Sequence, residues 1–515
     1  MKCGKQVSRS CVLAIDAGSS GCRALVFDLQ GTIISSACQE WTYDTPAEIA
    51  PFGKQFDSTS FWHIICQLIS EAISKSGVAP SDIIAVSAAS QRQGVVFLDR
   101  DGNELYAGPN TDLRALVEGF SIDSEFGSDI HRITGHIPSF LFTPAKLRWF
   151  KINHPRIYEQ IATVLSMNNW IIYRLCGKYV GELSSAADTG MVDIWEAGWS
   201  SQLLRLFDLP QKICPEIVAA GTCVGEVTSA AAAQTGLAPG TLVAIGGADT
   251  QCGLLGMGIE DEAQVGIIAG WSASIQMVTT RPIIDSGGRI WSSCHVLPGR
   301  WILESNAAES GGAYGWLKRL LYEDETSNAR KDPYAIMDQL AEEASPGADG
   351  VLAFIGPRVM DMTRLKPSLG GFIFPVTPSV TGIERKHLVR AALENLCFAF
   401  KANCAQLEEV SQLKIEMVSI GGGLAQSRSL IPMLSDILGL PVTCFETAQV
   451  TSCGAAMCAA VGAGIHPNLE AAAASMRPKS RVIEPDLKNN PQYMKYYERW
   501  LRTARLLENL IEEIG

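Results

Sequence analysis

The sequence predicts an α/β protein of two related lobes, and three observations predict it. Strand-like and helix-like segments alternate along the chain, the pattern of sheets faced by helices. A strand–turn–strand unit at residues 12–28 returns about 250 residues later at residues 263–278, which reads as a duplicated lobe. Glycine-rich turns at residues 18–21, 246–247 and 421–423 each follow an apolar strand-like run, the place where open α/β sheets bind ligands.

Composition sets the bounds. A chain of 515 residues holds two or three domains. With 47% hydrophobic and 19% charged residues, it can bury a sizeable core. No apolar run reaches the length of a membrane span. The basic start, Met1 to Ser10, is followed by only a short apolar stretch before Asp16. That is too short for a signal peptide, so no membrane association and a cytoplasmic location are expected. A net charge of −12, without a basic block interleaved with aromatics, argues against a nucleic-acid partner. The 15 cysteines are scattered without a Cys-x-x-Cys pair and the seven histidines lack ligand spacing, so reduced thiols and no structural zinc are expected.

In chain order, residues 12–15 and 24–27 are short buried strands of a hairpin. Residues 61–74 have helical periodicity, residues 83–89 and 94–99 read as strands, and Asp99-Arg100-Asp101-Gly102 supplies a hairpin turn. Residues 145–153, 157–161 and 170–175 look helical, and residues 242–247 are a buried strand ending in glycines. The second hairpin runs through Gly270-Trp271-Ser272-Ala273-Ser274. Residues 386–409 form a long amphipathic helix, residues 415–420 a strand, residues 429–438 a helix and residues 454–464 an Ala- and Gly-rich helix suited to close packing. Residues 490–514 close the chain as an amphipathic helix with Trp500 on its packed face. The lobe boundary is expected within residues 253–262, dividing the chain into 1–255 and 256–515.

Four clusters carry the chemistry. In the first hairpin, small residues let backbone N–H groups approach an anion, Ser19 and Ser20 add hydroxyls, and Arg23 adds a delocalised charge. Asp16, at the end of the first strand, is placed to hold a metal ion through water. Asp249 follows Gly246-Gly247-Ala248 at a strand end; by itself it is as well suited to capping the helix that follows. Gly421-Gly422-Gly423 lets a flat ring lie on the backbone. Anion donors, a metal carboxylate, a base and a nucleotide shelf are together what phosphoryl transfer requires.

The order and spacing of these motifs resemble the FGGY family of carbohydrate kinases from residue 11 to the late 460s. Asp16, Gly18, Ser19, Ser20 and Arg23 are similar to the family's D-x-G-T-x-S-x-R phosphate motif. Gly247-Ala248-Asp249 is similar to its G-x-D, and Gly422-Gly423-Leu424-Ala425-Gln426-Ser427 to its adenosine region. The resemblance implies an actin/hexokinase-like (ribonuclease H-like) fold of two lobes with nucleotide and sugar in the cleft. It implies ATP and Mg²⁺ as cofactors, with Asp16, Gly18, Ser19, Ser20, Arg23, Gly270, Ser272, Gly422, Gly423 and Ser427 on the nucleotide. Asp16 (through water) and Asp249 would be on the metal. Asp249 would be the catalytic base and, with Arg92, Gln93 and Asp112, would contact the sugar.

Three departures from the pattern are visible. Ser19 stands where Thr is usual. Trp271 stands where the second hairpin usually has Thr, leaving Ser272 or Ser274 to replace that hydroxyl. Residues 354–360 lack the Gly-Glu-Arg-Thr-Pro segment of xylulokinases. Trp170 and Trp271 are expected in the core. The expected function is transfer of the ATP γ-phosphoryl group to a primary hydroxyl of a small sugar, foremost a ketopentose. A short linear dihydroxy-diketone is the alternative, because residues 110–115 and 354–360 resemble the autoinducer-2 kinase branch. An actin- or chaperone-like ATPase and a non-catalytic relative are the readings from other classes. A homodimer is the ordinary assembly for such an enzyme.

Overall fold

The computed structural model describes residues 10–322, 332–364, 369–375, 377, 379 and 382–514. Fully buried apolar runs form the centre of the first sheet. Strand β1 (Cys11–Ala17) pairs antiparallel with β2 (Gly21–Asp28), which pairs antiparallel with β3 (Ile33–Glu40). Next, β4 (Ile83–Ser90) runs parallel to β1, β6 (Leu242–Ala244) parallel to β4, and β5 (Cys223–Glu226) antiparallel at the edge. The order is β5-β6-β4-β1-β2-β3.

The second sheet repeats this plan. Its strands are β7 (Val265–Ala269), β8 (Ser272–Thr279), β9 (Trp291–Cys294), β10 (Trp301–Glu309), β11 (Val418–Gly421), β12 (Val442–Phe445) and β13 (Ser480–Ile483). They are ordered β9-β10-β8-β7-β11-β12-β13. The run β10-β8-β7-β11-β12 has the same neighbours and senses as β3-β2-β1-β4-β6, and each run carries an antiparallel strand beyond its last member. Strand β9 is an addition to the second sheet. The two hairpin turns, 18–20 and 270–271, therefore occupy equivalent positions.

Local chemistry sets the helices. Helix α1 (Ser58–Ser76) starts where Asp57 accepts from the Thr59 and Ser60 amides and stops at Gly77 with φ 68°. Its buried Phe61, Ile65, Leu68, Ile69 and Ala72 join the core of the first sheet. Helix α2 (Asp249–Met257) follows β6 but sends Leu254 and Met257 into the core of the second sheet, against Val278 and Ile302. Helix α3 (Arg385–Ser411) backs the second sheet. Helix α4 (Val450–Gly462) follows β12 but packs Ala455, Ala456 and Ala459 with Val12, Ala14 and Ala85 of the first sheet. The two helices thus exchange sheets and cross backbone to backbone. A Cβ on Gly454 would lie 1.9 Å from the Cys252 carbonyl oxygen, and one on Gly256 2.0 Å from that of Val450. The Ala- and Gly-rich composition of α4 is what permits this approach.

The described cysteines are all free thiols, and no helix among the described residues is long and apolar enough to cross a membrane. Trp170 is fully buried, as expected. Trp271 is 57% exposed, which corrects the core placement. It stands at the tip of the β7–β8 hairpin, where its own carbonyl accepts from the Ser310 and Gly312 amides and its indole lies over Gly312.

Candidate active site

The β1–β2 register sets Asp16 opposite Arg23, and Arg23 Nη1 donates to Asp16 Oδ2 at 3.3 Å. Burial raises the Asp16 pKa, against the pull of Arg23. The turn between the strands is held from behind. Trp41 Nε1 donates to the Gly18 carbonyl at 3.2 Å and the Tyr43 hydroxyl to the Ser19 carbonyl at 2.7 Å. Among the described residues the Ser19 and Ser20 amides have no internal acceptor. With the carbonyls tied back and the amides unpaired, the turn presents donors, as an anion site requires.

Asp249 opens α2 one residue after its N-cap, Ala248, and accepts from the Thr250 amide at 2.8 Å. Its position is fixed from both lobes. The Ala248 amide donates to Ser184 Oγ at 3.0 Å, and Thr451 Oγ1 donates to the Asp249 carbonyl at 3.2 Å. The residue keeps some solvent contact, yet its carboxyl lies deep between the lobes. Desolvation pushes its pKa up to about 7; Arg92 opposes this and the charge of Asp16 adds to it. A carboxyl poised there is suited to accept a proton at neutral pH.

Arg92, just beyond β4, forms a bidentate ion pair with Glu304 of β10; Nη2 reaches Oε1 at 2.7 Å. Glu304 is fully buried, and although burial acts upward on its pKa, Arg92 and two amide donors, from Gln276 and Asn306, bring it below the usual carboxylate value. Gln93 holds a left-handed φ of 57° and donates to Asp188 Oδ1 at 3.4 Å. Asp188 is 1% exposed; burial raises its pKa to about 8, against Arg92. His136 Nε2 lies 3.6 Å from the same oxygen, and burial lowers the His136 pKa to about 3. Burial thus favours the neutral form of both groups.

Asp16 and Arg23 are paired beside the Ser19–Ser20 turn, and Asp249 lies close enough to feel the charges of both Asp16 and Arg92. In the turn after β11, Gly422 has φ 99° and its missing Cβ would strike the Ala269 carbonyl at 2.5 Å, while the space over Gly423 is open to at least 4 Å. A Cβ on Gly270 or Gly18 would meet only ordinary contacts, the Ser272 carbonyl at 3.9 Å and the Gly21 carbonyl at 3.5 Å. Ser272 is partly exposed at the start of β8, whereas the Ser274 hydroxyl is buried without a partner.

Two expected contacts are otherwise engaged. Ser427 Oγ donates to Asp338 Oδ1 at 2.6 Å. Asp112 is fully buried and accepts from the Lys54 amide at 2.7 Å, from Arg114 Nε at 2.7 Å and from the Tyr106 hydroxyl. The structure does not bring Asp112 to the Asp249 cluster. Asn110, two positions earlier, lies against the β1–β2 turn: Nδ2 donates to Ser19 Oγ at 2.8 Å and its amide to Gln91 Oε1 at 3.0 Å. Asn110, Glu304, Asp188 and His136 were not singled out by sequence reasoning. The one signal for Glu304 is a carboxylate directly after the apolar run Trp301-Ile302-Leu303.

The donor set bears on metal binding. Among the described residues no group of three or more His, Cys, Asp or Glu side chains is arranged to hold an ion. Two carboxylates, Asp16 and Asp249, near enough for the charge of one to act on the other, fit a magnesium ion that keeps its waters and binds substrate phosphates.

The chain matches the FGGY family of carbohydrate kinases, N-terminal domain over residues 11–256 and C-terminal domain over residues 265–463. It belongs to that family. It is 30% identical to an autoinducer-2 kinase of Enterobacter sp. (strain 638) over 95% of this chain and 93% of that protein. It is 28% identical to the autoinducer-2 kinase of Escherichia coli (strain K12) over 96% and 94%. The crystal structure of xylulose kinase from Rhodospirillum rubrum superimposes with a TM-score of 0.81 at 25% identity, covering 98% of this chain and all of that one. The family makes this chain a phosphotransferase with an alcohol group as acceptor, and the two-lobed fold is the one its sequence resemblance implied.

Proposed function

We propose that this chain transfers the γ-phosphoryl group of ATP to a primary hydroxyl of a small, neutral, open-chain carbohydrate. The observation that carries the reading is Asp249: a carboxyl fixed at the head of α2, with a pKa raised to about 7, between the Ser19–Ser20 turn and Arg92. In this reading the turn amides, the serine hydroxyls and Arg23 bind phosphate oxygens, and Gly422 and Gly423 carry the adenosine. Asp249 orients the acceptor hydroxyl and takes its proton as it attacks phosphorus. Asp16 and Asp249 would hold Mg²⁺, which neutralises phosphate charge when bound.

Charge supports a neutral acceptor. The guanidinium on the acceptor side, Arg92, is already neutralised by Glu304, and the groups beside it, Asp188 and Asp249, are acids. A sugar carboxylate would gain no free cation there. Between the neutral candidates, the autoinducer-2 kinases that align along nearly the whole chain favour a linear dihydroxypentanedione, and the fold shared with xylulose kinase keeps a ketopentose as the second reading. The test is ADP release from ATP and Mg²⁺ across ketoses, polyols, the autoinducer-2 precursor and gluconate. Acceptor-dependent release with a neutral linear compound supports the reading. Release without any acceptor supports an ATPase, silence throughout a non-catalytic relative, and a preference for gluconate refutes the charge argument.

A further inference from the structure

Arg92 leaves the first sheet after β4, and Glu304 stands in β10 of the second, 212 positions away. Their ion pair is sealed, with the Arg92 side chain 9% exposed and that of Glu304 fully buried. Among the described residues, Glu304 is the only group to which the Arg92 guanidinium donates. Asp188 and Asp249 act on it electrostatically but accept no hydrogen bond from it.

Glu304 is itself immobilised. Gln276 Nε2 donates to its Oε2 at 2.8 Å and Asn306 Nδ2 to its Oε1 at 3.1 Å. Gln276 Nε2 also donates to Thr250 Oγ1 at 3.1 Å, next to Asp249. A guanidinium has five N–H donors in a rigid fork. The bidentate pair uses two and leaves three in a fixed plane.

We propose that Glu304 is a positioning residue for the acceptor: reaching from the C-terminal lobe, it fixes the Arg92 guanidinium in one plane beside Asp249, so acceptor recognition depends on contact between the lobes. The proposal rests on the kinase reading with Arg92 on the acceptor. Among the described residues no group of its own lobe accepts a hydrogen bond from this arginine, so without Glu304 only the charges of Asp188 and Asp249 and the Trp291 ring, 6.0 Å away, bear on the guanidinium, its plane is no longer fixed and its remaining donors lose their aim. The nucleotide turn, 18–20, does not touch this network, so ATP binding should be spared.

The experiment compares wild type, E304Q, E304D, R92Q and E304Q/R92Q, using the acceptor that gives most ADP in the panel. E304Q is expected to raise the acceptor KM by at least about tenfold and to leave the ATP KM within about twofold. E304D, which keeps the charge, is expected to recover part of the loss. The double variant is expected to be no worse than R92Q, because both remove one interaction. An unchanged acceptor KM in folded E304Q, or additive losses in the double variant, overturns the proposal. Hydrogen exchange of the amides at residues 91–95, without ligands, is the second arm. Faster exchange in E304Q supports the tether, and unchanged exchange overturns it. If wild type turns over no acceptor, the kinase reading fails while this arm still decides whether Glu304 holds the Arg92 segment.

Discussion

Replacing Asp249 by Asn removes the proposed base while keeping the size of the side chain and its acceptor oxygen for the Thr250 amide. General-base catalysis contributes roughly 10²–10⁴-fold, so kcat should fall by that order with ATP affinity little changed. The pH profile gives a second magnitude. With a pKa of about 7, the ionised fraction of Asp249 rises from about a tenth near pH 6 to about nine-tenths near pH 8. Transfer needs the anion, and a raised pKa keeps the acid form to higher pH, so activity is lost as pH falls through about 7. Wild-type kcat/KM should therefore climb roughly tenfold over that interval and the variant should be low and flat. The assay is initial ADP release with acceptor below its KM, alongside calorimetric titration of ATP. Residual turnover within about tenfold of wild type would remove Asp249 as the base, and an unaltered pH limb in the variant would assign that limb to another group.

Further outcomes follow from the same geometry. Asn110→Ala frees the Ser19 hydroxyl; losing a hydrogen bond of about 1 kcal/mol should raise the ATP KM several-fold and leave the acceptor KM alone, as steady-state kinetics would show. Gly454→Val forces a side chain into a site where even a Cβ lies 1.9 Å from a carbonyl oxygen; overpacking of about 1–3 kcal/mol should lower the urea midpoint, and an unchanged midpoint would contradict the tight crossing. Asp188 has a folded pKa of about 8, far above its unfolded value, so the folded chain keeps a proton that the unfolded chain releases. Stability from this group is full in acid and declines as pH rises towards about 8. Asp188→Asn should therefore raise Tm near neutrality by a few degrees, about 2–4 °C per kcal/mol, with the gain vanishing in acid; a gap independent of pH would count against a buried neutral acid.

What the sequence disclosed was local. The β1–β2 hairpin, the duplicated β7–β8 hairpin and the Asp249 turn are each contained in a short stretch whose periodicity and small residues specify them. Residue type misled where the partner lay elsewhere. Asp112 has the chemistry of a sugar contact, but Tyr106 and Arg114 consume its oxygens, and Asn110, two positions earlier, lies against the β1–β2 turn. Residue type alone points Trp271 to the core, yet the tip of a hairpin faces outward. Glu304 was hidden because its meaning comes from Arg92, 212 positions away, and no pattern within one strand encodes such a pairing. His136 and Asp188 were missed for the same reason: their neutrality is produced by burial among segments remote in sequence.

The exchange of α2 and α4 between the sheets has a consequence for how this chain can be divided. Severing it near residue 260 would leave each fragment with its own sheet but with the helix that belongs on its sister's. Each fragment would keep one face of its sheet covered, by α1 or by α3, but would bare the face on which its sister's helix packs, so the two should aggregate when expressed separately and should recover a native particle when expressed together. The duplicated halves are thus not two modules joined by a tether. They are interlocked, and the residue proposed to take the proton sits on one of the two locking pieces.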